Sequence, residues 1–550
     1  MIMKSWCILL GISTVLMATP AATAFAAPFT TSASRLQSIS IPPTVGNSAA
    51  YMRHKRHSVL RTNDTQLRMA LHFPRGGALA SVLQNAGATP QALFNTLLGS
   101  LALTTAIAKV SQRIKASKAS SAGGEESPEK SAEVKSLQAR FLAVFWLLRC
   151  SDWLQGPYFY EVYASKVFNG VPASMSLVSR LFLTGFASTA LFGPVVGRAA
   201  DQYGRKKATL AFSLIYALGA LSTKSPVLLF LLLGRVLSGI GTSLLFSAPE
   251  SWLVGAAQAS GNQGALGETF GLAYAGDSLV AIAAGQMAGL AASQRGPTGP
   301  FELSTVFLAM GGLLAAWLWK ENKAQPSGDE DKPSIGEAIK VVQRDPKIML
   351  VGAVQSLFES AMYIFVLQWP PAIAKAIVQQ FGASAVTPYG TVFSCFMASC
   401  LLGSTLFGQL SKQAVPTEAS TTLMLSAATV AMSAATWAVR TAGAGASYTL
   451  PCLIASLFCF EACVGMYFPS IGTLRSRYVP DSHRSVIMNL FGIPLNVLVV
   501  AVFLSIHKLG VTGALTVSSA ALGVATLAMG RLWQQTSGSS KAVGASSRTS

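Results

Sequence analysis

Six ionisable side chains stand deep inside long apolar runs of this 550-residue chain: Arg149, Asp152, Arg235, Asp277, Glu359 and Glu461. An ionisable group at the middle of a membrane helix costs about 2.5–3.5 kcal/mol on insertion scales, so such groups survive beside a partner or a wet cavity. Arg149 and Asp152 are three apart on one helical face, where mutual neutralisation is the simplest account of the pair. The two arginines are candidate anion donors through charge-assisted hydrogen bonds. Glu359 and Glu461 are candidate proton carriers, since a carboxyl group exchanges a proton as its surroundings change from wet to apolar. Four acids against two arginines would repel a dianion unless some acids carry protons, which points to proton coupling.

The apolar runs dictate what positions these groups. Half of the residues (51%) are hydrophobic and only 11% are charged, against about 25% charged in a soluble protein. A run of about 20 apolar residues spans a bilayer as a helix. Twelve such spans are predicted, near 139–163, 175–197, 208–223, 227–254, 268–292, 302–319, 348–371, 388–411, 420–439, 449–470, 485–506 and 511–532. A charged linker over 320–347 divides them into bundles at 139–319 and 348–532, and 533–550 reads as a disordered tail. The chain is therefore an all-α polytopic membrane protein. Loops on one side hold Arg198, Arg205, Lys206, Lys207, Lys320, Lys323, Arg475, Arg477 and Arg484, whereas the other side has scattered Lys166, Lys224 and Arg295. The positive-inside rule places the first set on the cytoplasmic or stromal side, called inner below.

The formal net charge of +19 belongs largely to the N-terminal extension and the inner loops. It serves targeting and topology, and no basic stripe with exposed aromatics indicates nucleic acid. Residues 1–24 read as a signal peptide, with Lys4, an apolar core and a small-residue end. Residues 25–92 have the Ser-, Arg- and Ala-rich composition of a transit-like presequence. The junction Ala24-Phe25-Ala26-Ala27-Pro28-Phe29 resembles the bipartite presequences of algae with complex plastids. That resemblance implies a plastid membrane; the alternative is the plasma membrane or endomembrane system. Residues 93–110 form a marginal span, followed by a charged linker over 111–138. A cleaved signal leaves the N-terminus outside, so an extra crossing there would bring the chain to an inner start.

Several local features bear on the spans. Pro157 removes a backbone donor and predicts a kink in a segment that also holds Trp153, Gln155 and Tyr158. Gly239 and Gly241, after Arg235, allow close helix packing. Glu250 is expected to brace the basic loop around Arg205, and Glu161 to be a solvated rim charge. The seven cysteines lack metal-ligand spacing, and Cys459 with Cys463 reads as packing. No phosphate-binding glycine loop or metal cluster suggests an enzyme, a cofactor or a resident metal.

The stretch Gly197-Arg-Ala-Ala-Asp201-Gln-Tyr-Gly204-Arg205-Lys206-Lys207 joins two predicted spans. Its pattern resembles the loop between helices 2 and 3 of the major facilitator superfamily. That resemblance implies a major facilitator fold, 12 transmembrane helices in two six-helix halves, with 93–110 as an optional extra N-terminal helix. It also implies a cytoplasmic gate at Gly197, Asp201, Gly204, Arg205, Lys206 and Glu250. Ser188-Thr-Ala-Leu-Phe-Gly193 and Ser404-Thr-Leu-Phe-Gly408 repeat in corresponding spans of the two halves. In major facilitators spans 1, 4, 7 and 10 line the central cavity, and five of the six buried charges fall on that set.

Asp152-Trp-Leu-Gln-Gly-Pro-Tyr158, Leu245-Phe-Ser-Ala-Pro-Glu250-Ser-Trp252, Leu357-Phe-Glu359-Ser360, Tyr467-Phe-Pro-Ser470 and Asn489-Leu-Phe-Gly-Ile-Pro-Leu-Asn496 resemble the molybdate-anion transporter family. The resemblance runs from about Phe141 to the end of span 12. It implies a secondary active transporter moving molybdate or a similar oxyanion by alternating access, in the bilayer, as a monomer. Gln155, Tyr158, Asn489 and Asn496 join the charged residues as cavity candidates. Where the family pattern has an arginine this chain has Gly492, which leaves Arg149 and Arg235 as the anion donors. Two other functions stand beside this one: a carrier for another organic solute, and a non-transporting membrane sensor or scaffold.

Overall fold

The computed structural model describes residues 89–120, 131–323, 335–413, 415–442, 449–480 and 483–546. The signal peptide and nearly all of the transit-like presequence lie outside the described residues. The described chain is helical apart from short connections and one hairpin.

The first helix, α1 (Pro90–Ser120), precedes the N-terminal half: α2 (Ala132–Gln155), α3 (Phe159–Ala164), α4 (Met175–Tyr203), α5 (Arg205–Ser222), α6 (Leu228–Leu245), α7 (Ala248–Ala259), α8 (Leu266–Arg295) and α9 (Gly299–Leu318). After a linker helix, α10 (Ile335–Arg344), the C-terminal half contains α11 (Pro346–Phe381), α12 (Tyr389–Lys412), α13 (Thr417–Thr441), α14 (Thr449–Tyr478), α15 (Arg484–Leu504) and α16 (Ile506–Ser546). Among the described residues ten stretches are long and apolar enough to cross a membrane, and one of them, Gln263–Leu318, contains both α8 and α9. The α2 and α5 helices fall outside that set because of charges: α2 carries Glu133, Lys135, Arg140, Arg149 and Asp152, and α5 opens on Arg205-Lys206-Lys207.

Local chemistry sets the ends and breaks. Ser131 and Ser174 cap α2 and α4, their hydroxyls accepting from the amides of Val134 and Leu177. Pro157 does more than kink span 1: Gly156–Tyr158 forms a 3-10 turn that separates α2 from α3. Span 4 is likewise divided, with Pro249 near the start of α7. At the outer surface Val167–Phe168 pairs antiparallel with Val171–Pro172. The Asn169-Gly170 turn between them has φ of 49° and 80°, the positive angles that a tight hairpin needs. Several boundaries differ from the sequence reading, among them α11, which runs to Phe381 and not 371, and α4, which runs to Tyr203 and not 197. The charged linker contains α10, α16 continues to Ser546 in place of the expected disordered tail, and α14 runs to Tyr478, well past 470.

Within the N-terminal half α6 packs on α4 and α5, and α2 on α8 and α9. Within the C-terminal half α16 packs on α11 and α13, and α14 on α12 and α13. Small residues allow this closeness: a Cβ on Gly403 would collide with the Ala462 carbonyl oxygen, and one on Gly239 with that of Gly185. The halves meet along α8 with α12 and α4 with α15.

Helix α1 runs beside α12 in the same direction. Gln91 donates to the Thr391 hydroxyl (2.8 Å) and Gln112 to the Thr405 carbonyl (2.7 Å), so both ends are pinned. Between them Phe94, Leu97, Leu101, Thr105 and Ala108 form a buried stripe at helical spacing. The opposite face exposes Leu103, Ile107, Val110 and Ile114.

Candidate transport site

Four of the six charges singled out above lie in a cluster in one or the other half, and Arg235 and Glu461 stand apart. In the N-terminal half Arg149 reaches across from α2 to α8. Its Nε and Nη2 donate to the two carboxylate oxygens of Asp277, each at 3.0 Å. Asp152 takes a longer contact of 3.5 Å from Nη1. Trp153 donates its indole N–H to Asp277 (2.8 Å), and Tyr216 donates its hydroxyl to Asp152 (2.5 Å). The guanidinium also lies 4.8 Å from the Trp153 ring and 5.2 Å from that of Phe246. Two carboxylates and two rings thus occupy Arg149. The neutralisation reading holds in kind, but the main partner is Asp277, 128 residues away. Arg149 is not a free anion donor.

Arg235 differs. On α6 its guanidinium lies 4.6 Å from the Phe159 ring, against Gly185 of α4 and within hydrogen-bond reach of Tyr163. Its Nε is buried without an acceptor, and no carboxylate pairs with it among the described residues. Any side chain at position 185 would collide with it, since a Cβ there would run into Nη2.

In the C-terminal half Glu359 on α11 accepts from the Tyr467 hydroxyl (2.9 Å) and from Arg475 Nη2 (3.1 Å). Arg475 Nε donates to the Gln355 side chain (2.9 Å). The sequence reading places Arg475 in a loop. The extra length of α14 carries it beyond the expected span end, where it pairs with Glu359. The signal that could have found it is its spacing: it lies eight residues after Tyr467, little more than two turns along the same helix and about 80° around it. Glu461 is only 6% exposed and makes no hydrogen bond or ion pair among the described residues. It lies on the part of α14 that packs tightly against α12.

Other candidates fall elsewhere. Gln155 is buried and donates to Ser304 of α9 (2.9 Å), whose hydroxyl donates to the Ser151 carbonyl (2.7 Å). It ties two helices of one bundle and is not part of the charged cluster. Tyr158 meets Tyr389 edge-on at the outer seam, with ring centroids 5.7 Å apart. Asn489 is exposed and Asn496 half-buried on α15, and neither is drawn into the two clusters. Gly492 has open space where a Cβ would stand.

At the inner end Gly197 is an interior residue of α4, so the reversal rests on Gly204 alone, at φ 123°. Asp201 and Arg205 pair across it at 3.0 Å. Glu250 does not brace Arg205: its partner is the Tyr274 hydroxyl on α8. The brace comes instead from Glu321 and Asn322, two residues the sequence reading misses. The Glu321 carboxylate accepts from the backbone amides of Lys206 (2.9 Å) and Lys207 (3.1 Å), capping the start of α5. The Arg205 amide donates to the Asn322 carbonyl (3.0 Å), and Lys206 Nζ to the Ala316 carbonyl (2.7 Å).

The seam between halves is packed at its outer end. Gln286 and Ser394 hydrogen-bond across it (2.9 Å), Gly285 and Gly390 approach so closely that a Cβ on either would meet backbone, and Phe182 stacks on Phe503 edge-to-face at 5.1 Å. Toward the inner end Gly197, Gly267, Gly271 and Gly492 have no neighbouring atom within 4 Å of where a Cβ would stand.

Residues 99–457 match a family described as sugar transporters, 12 TM. A molybdate-anion transporter of Xenopus tropicalis is 31% identical over 377 residues, covering 68% of this chain and 79% of the relative. One from Takifugu rubripes is 30% identical, covering 69% and 82%. Among solved structures, an auto-inhibited POT family peptide transporter superposes with a TM-score of 0.58 at 13% identity, covering 72% of this chain and 96% of that one. A D-xylose-proton symporter gives 0.52 at 12%, covering 70% and 96%. The structural likenesses establish the fold, and the sequence relatives establish the family. The chain is a multi-pass secondary transporter that belongs to the molybdate-anion transporter family of the major facilitator superfamily.

Proposed function

We propose that this transporter moves molybdate or a similar oxyanion by alternating access, with Arg235 as the group that holds the anion and protons as the coupling ion. The observation that carries the reading is the unpaired, aromatic-lined guanidinium of Arg235. Arg149 and Arg475 already hold carboxylates, so Arg235 is the arginine with hydrogen-bonding capacity to spare for two anion oxygens. Support for the coupling ion comes from Glu461. A lone carboxylate at that depth is costly, and a carboxyl group that carries a proton avoids the cost. The packed outer seam and looser inner end correspond to an inward-open stage of the cycle.

A plastid membrane is the proposed address, on the presequence resemblance, and a monomer the proposed working unit. A carrier for a sugar or another organic solute is the second reading, favoured by the description of the matched family and by the aromatic wall of Phe159 and Tyr163 beside Arg235. Radiolabelled molybdate uptake into proteoliposomes, with and without a proton gradient and competed by sulfate, tungstate and sugars, separates the two. Arg235→Ala is expected to cut uptake by about 100-fold or more, and Arg235→Lys to restore only part, because a lysine lacks the planar fork. Undiminished molybdate uptake by Arg235→Ala would remove the assignment.

A further inference from the structure

The outer end of the seam encloses a cavity of about 820 Å³ whose walls come from three bodies. Gln91 and Asn95 come from α1, Glu161 and Gln286 from the N-terminal half, and Tyr389 and Thr391 from the C-terminal half. Glu161 is the single charged residue among those lining it. Its carboxylate accepts from the Tyr389 hydroxyl at 3.1 Å, a hydrogen bond that crosses between the halves. The Tyr389 ring is itself wedged edge-on between Tyr158 and Trp369, at 5.7 and 6.0 Å. The sequence reading makes Glu161 a solvated rim charge, whereas the structure makes it part of the outer closure. No cationic side chain pairs with it among the described residues. The titratable groups facing it are Tyr158 and Tyr160 on its own segment and Tyr389 from α12, while α1 and α8 supply amides.

A cavity with one carboxylate, several hydroxyl and amide oxygens and no cation repels an oxyanion and attracts a small cation. We propose that this vestibule is a monovalent-cation site at the outer gate, with Glu161 as its charged ligand. A cation bound there competes with the Tyr389 hydroxyl for the carboxylate, and so loosens the closure that joins the two halves. Helix α1 adds two amide side chains, Gln91 and Asn95, to the one that α8 supplies as Gln286. The inference rests on the reading of the chain as a cation-coupled carrier and names where the coupling ion enters. A proton and an alkali ion share the chemistry required, and the test separates them.

The full chain in proteoliposomes is assayed for molybdate uptake along two series: external Na⁺ varied against choline at fixed pH, and external pH varied at fixed Na⁺. Wild type is expected to respond to one series, which identifies the cation. Glu161→Gln is expected to flatten that response to within about 1.5-fold across the series. Tyr389→Phe, which removes the competing hydroxyl, is expected to keep the response and shift its half-maximum about threefold toward lower cation concentration. A purely structural latch predicts that both variants lower uptake alike with the cation response unchanged, and that result overturns the proposal. If wild type transports no molybdate, the proposed function fails on its own. The cation site is then read from melting of the purified protein: stabilisation by Na⁺ or by lowered pH over choline in wild type but not in Glu161→Gln supports it, and equal behaviour of the two overturns it.

Discussion

The two halves carry similar numbers of buried charges but arrange them differently. In the N-terminal half Arg149, Asp152 and Asp277 form a closed knot of hydrogen bonds across three helices, and the charge left over is positive, on Arg235. In the C-terminal half Arg475 and Glu359 form a looser pair, and the charge left over is negative, on Glu461. The bidentate Arg149–Asp277 pair is the more buried, at 9% and 10% exposed against 27% and 18% for Arg475 and Glu359, although Asp152 at the edge of the knot is 21% exposed. A saturated knot is a structural element, because its groups have no capacity for a transient ligand. An unpaired group is where a traveller can be held. Under the function proposed above, the N-terminal bundle would grip the anion and the C-terminal bundle would handle the proton, with coupling through movement of the two bundles as bodies.

Three substitutions sharpen or break that contrast. Asp277→Asn should act most strongly, since it strips a buried arginine of its bidentate partner. Breaking such a pair costs about 3–5 kcal/mol, so the purified protein should melt many degrees lower and express poorly. Near-normal melting would mean that Asp152 takes over and the knot is not structural. Glu359→Gln should be milder, about 1–2 kcal/mol, because Arg475 keeps Gln355 and water screens it. Glu461→Gln should barely change melting, within about 0.5 kcal/mol, having no partner to lose. Its effect should be on the pH profile of uptake, which flattens. A Glu461→Gln variant that melts much lower with its pH profile intact would make this residue a structural member and dissolve the contrast.

Much of this architecture is legible in the chain, for physical reasons. Span count and the break at Pro157 follow from apolar run length and a missing amide, both of which are local. The buried charges stand out because their insertion cost makes them rare. Their partners do not stand out. Asp277 is joined to Arg149, Tyr216 to Asp152 and Tyr389 to Glu161 by helix packing alone, over 128, 64 and 228 residues. Arg475 is hidden by its closeness to a span end, where a basic residue normally reports topology. Glu321 escapes because a carboxylate in a charged linker has no local mark that it caps a distant helix. Glu250 misleads for the opposite reason: nearness to a basic loop suggests an ion pair, and the fold gives it a tyrosine.

The pinning of α1 along α12 has a consequence for how this molecule meets its bilayer. One face of α12 is covered by α1, which presents Leu103, Ile107, Val110 and Ile114 as the exposed apolar surface in its place. A protein shortened to begin after residue 120 would lose both pinning hydrogen bonds and the contact that Phe94, Leu97 and Leu101 make along α12. The second bundle thus carries an additional helix pinned along its length, and excising it would uncover the surface of α12 on which that helix rests.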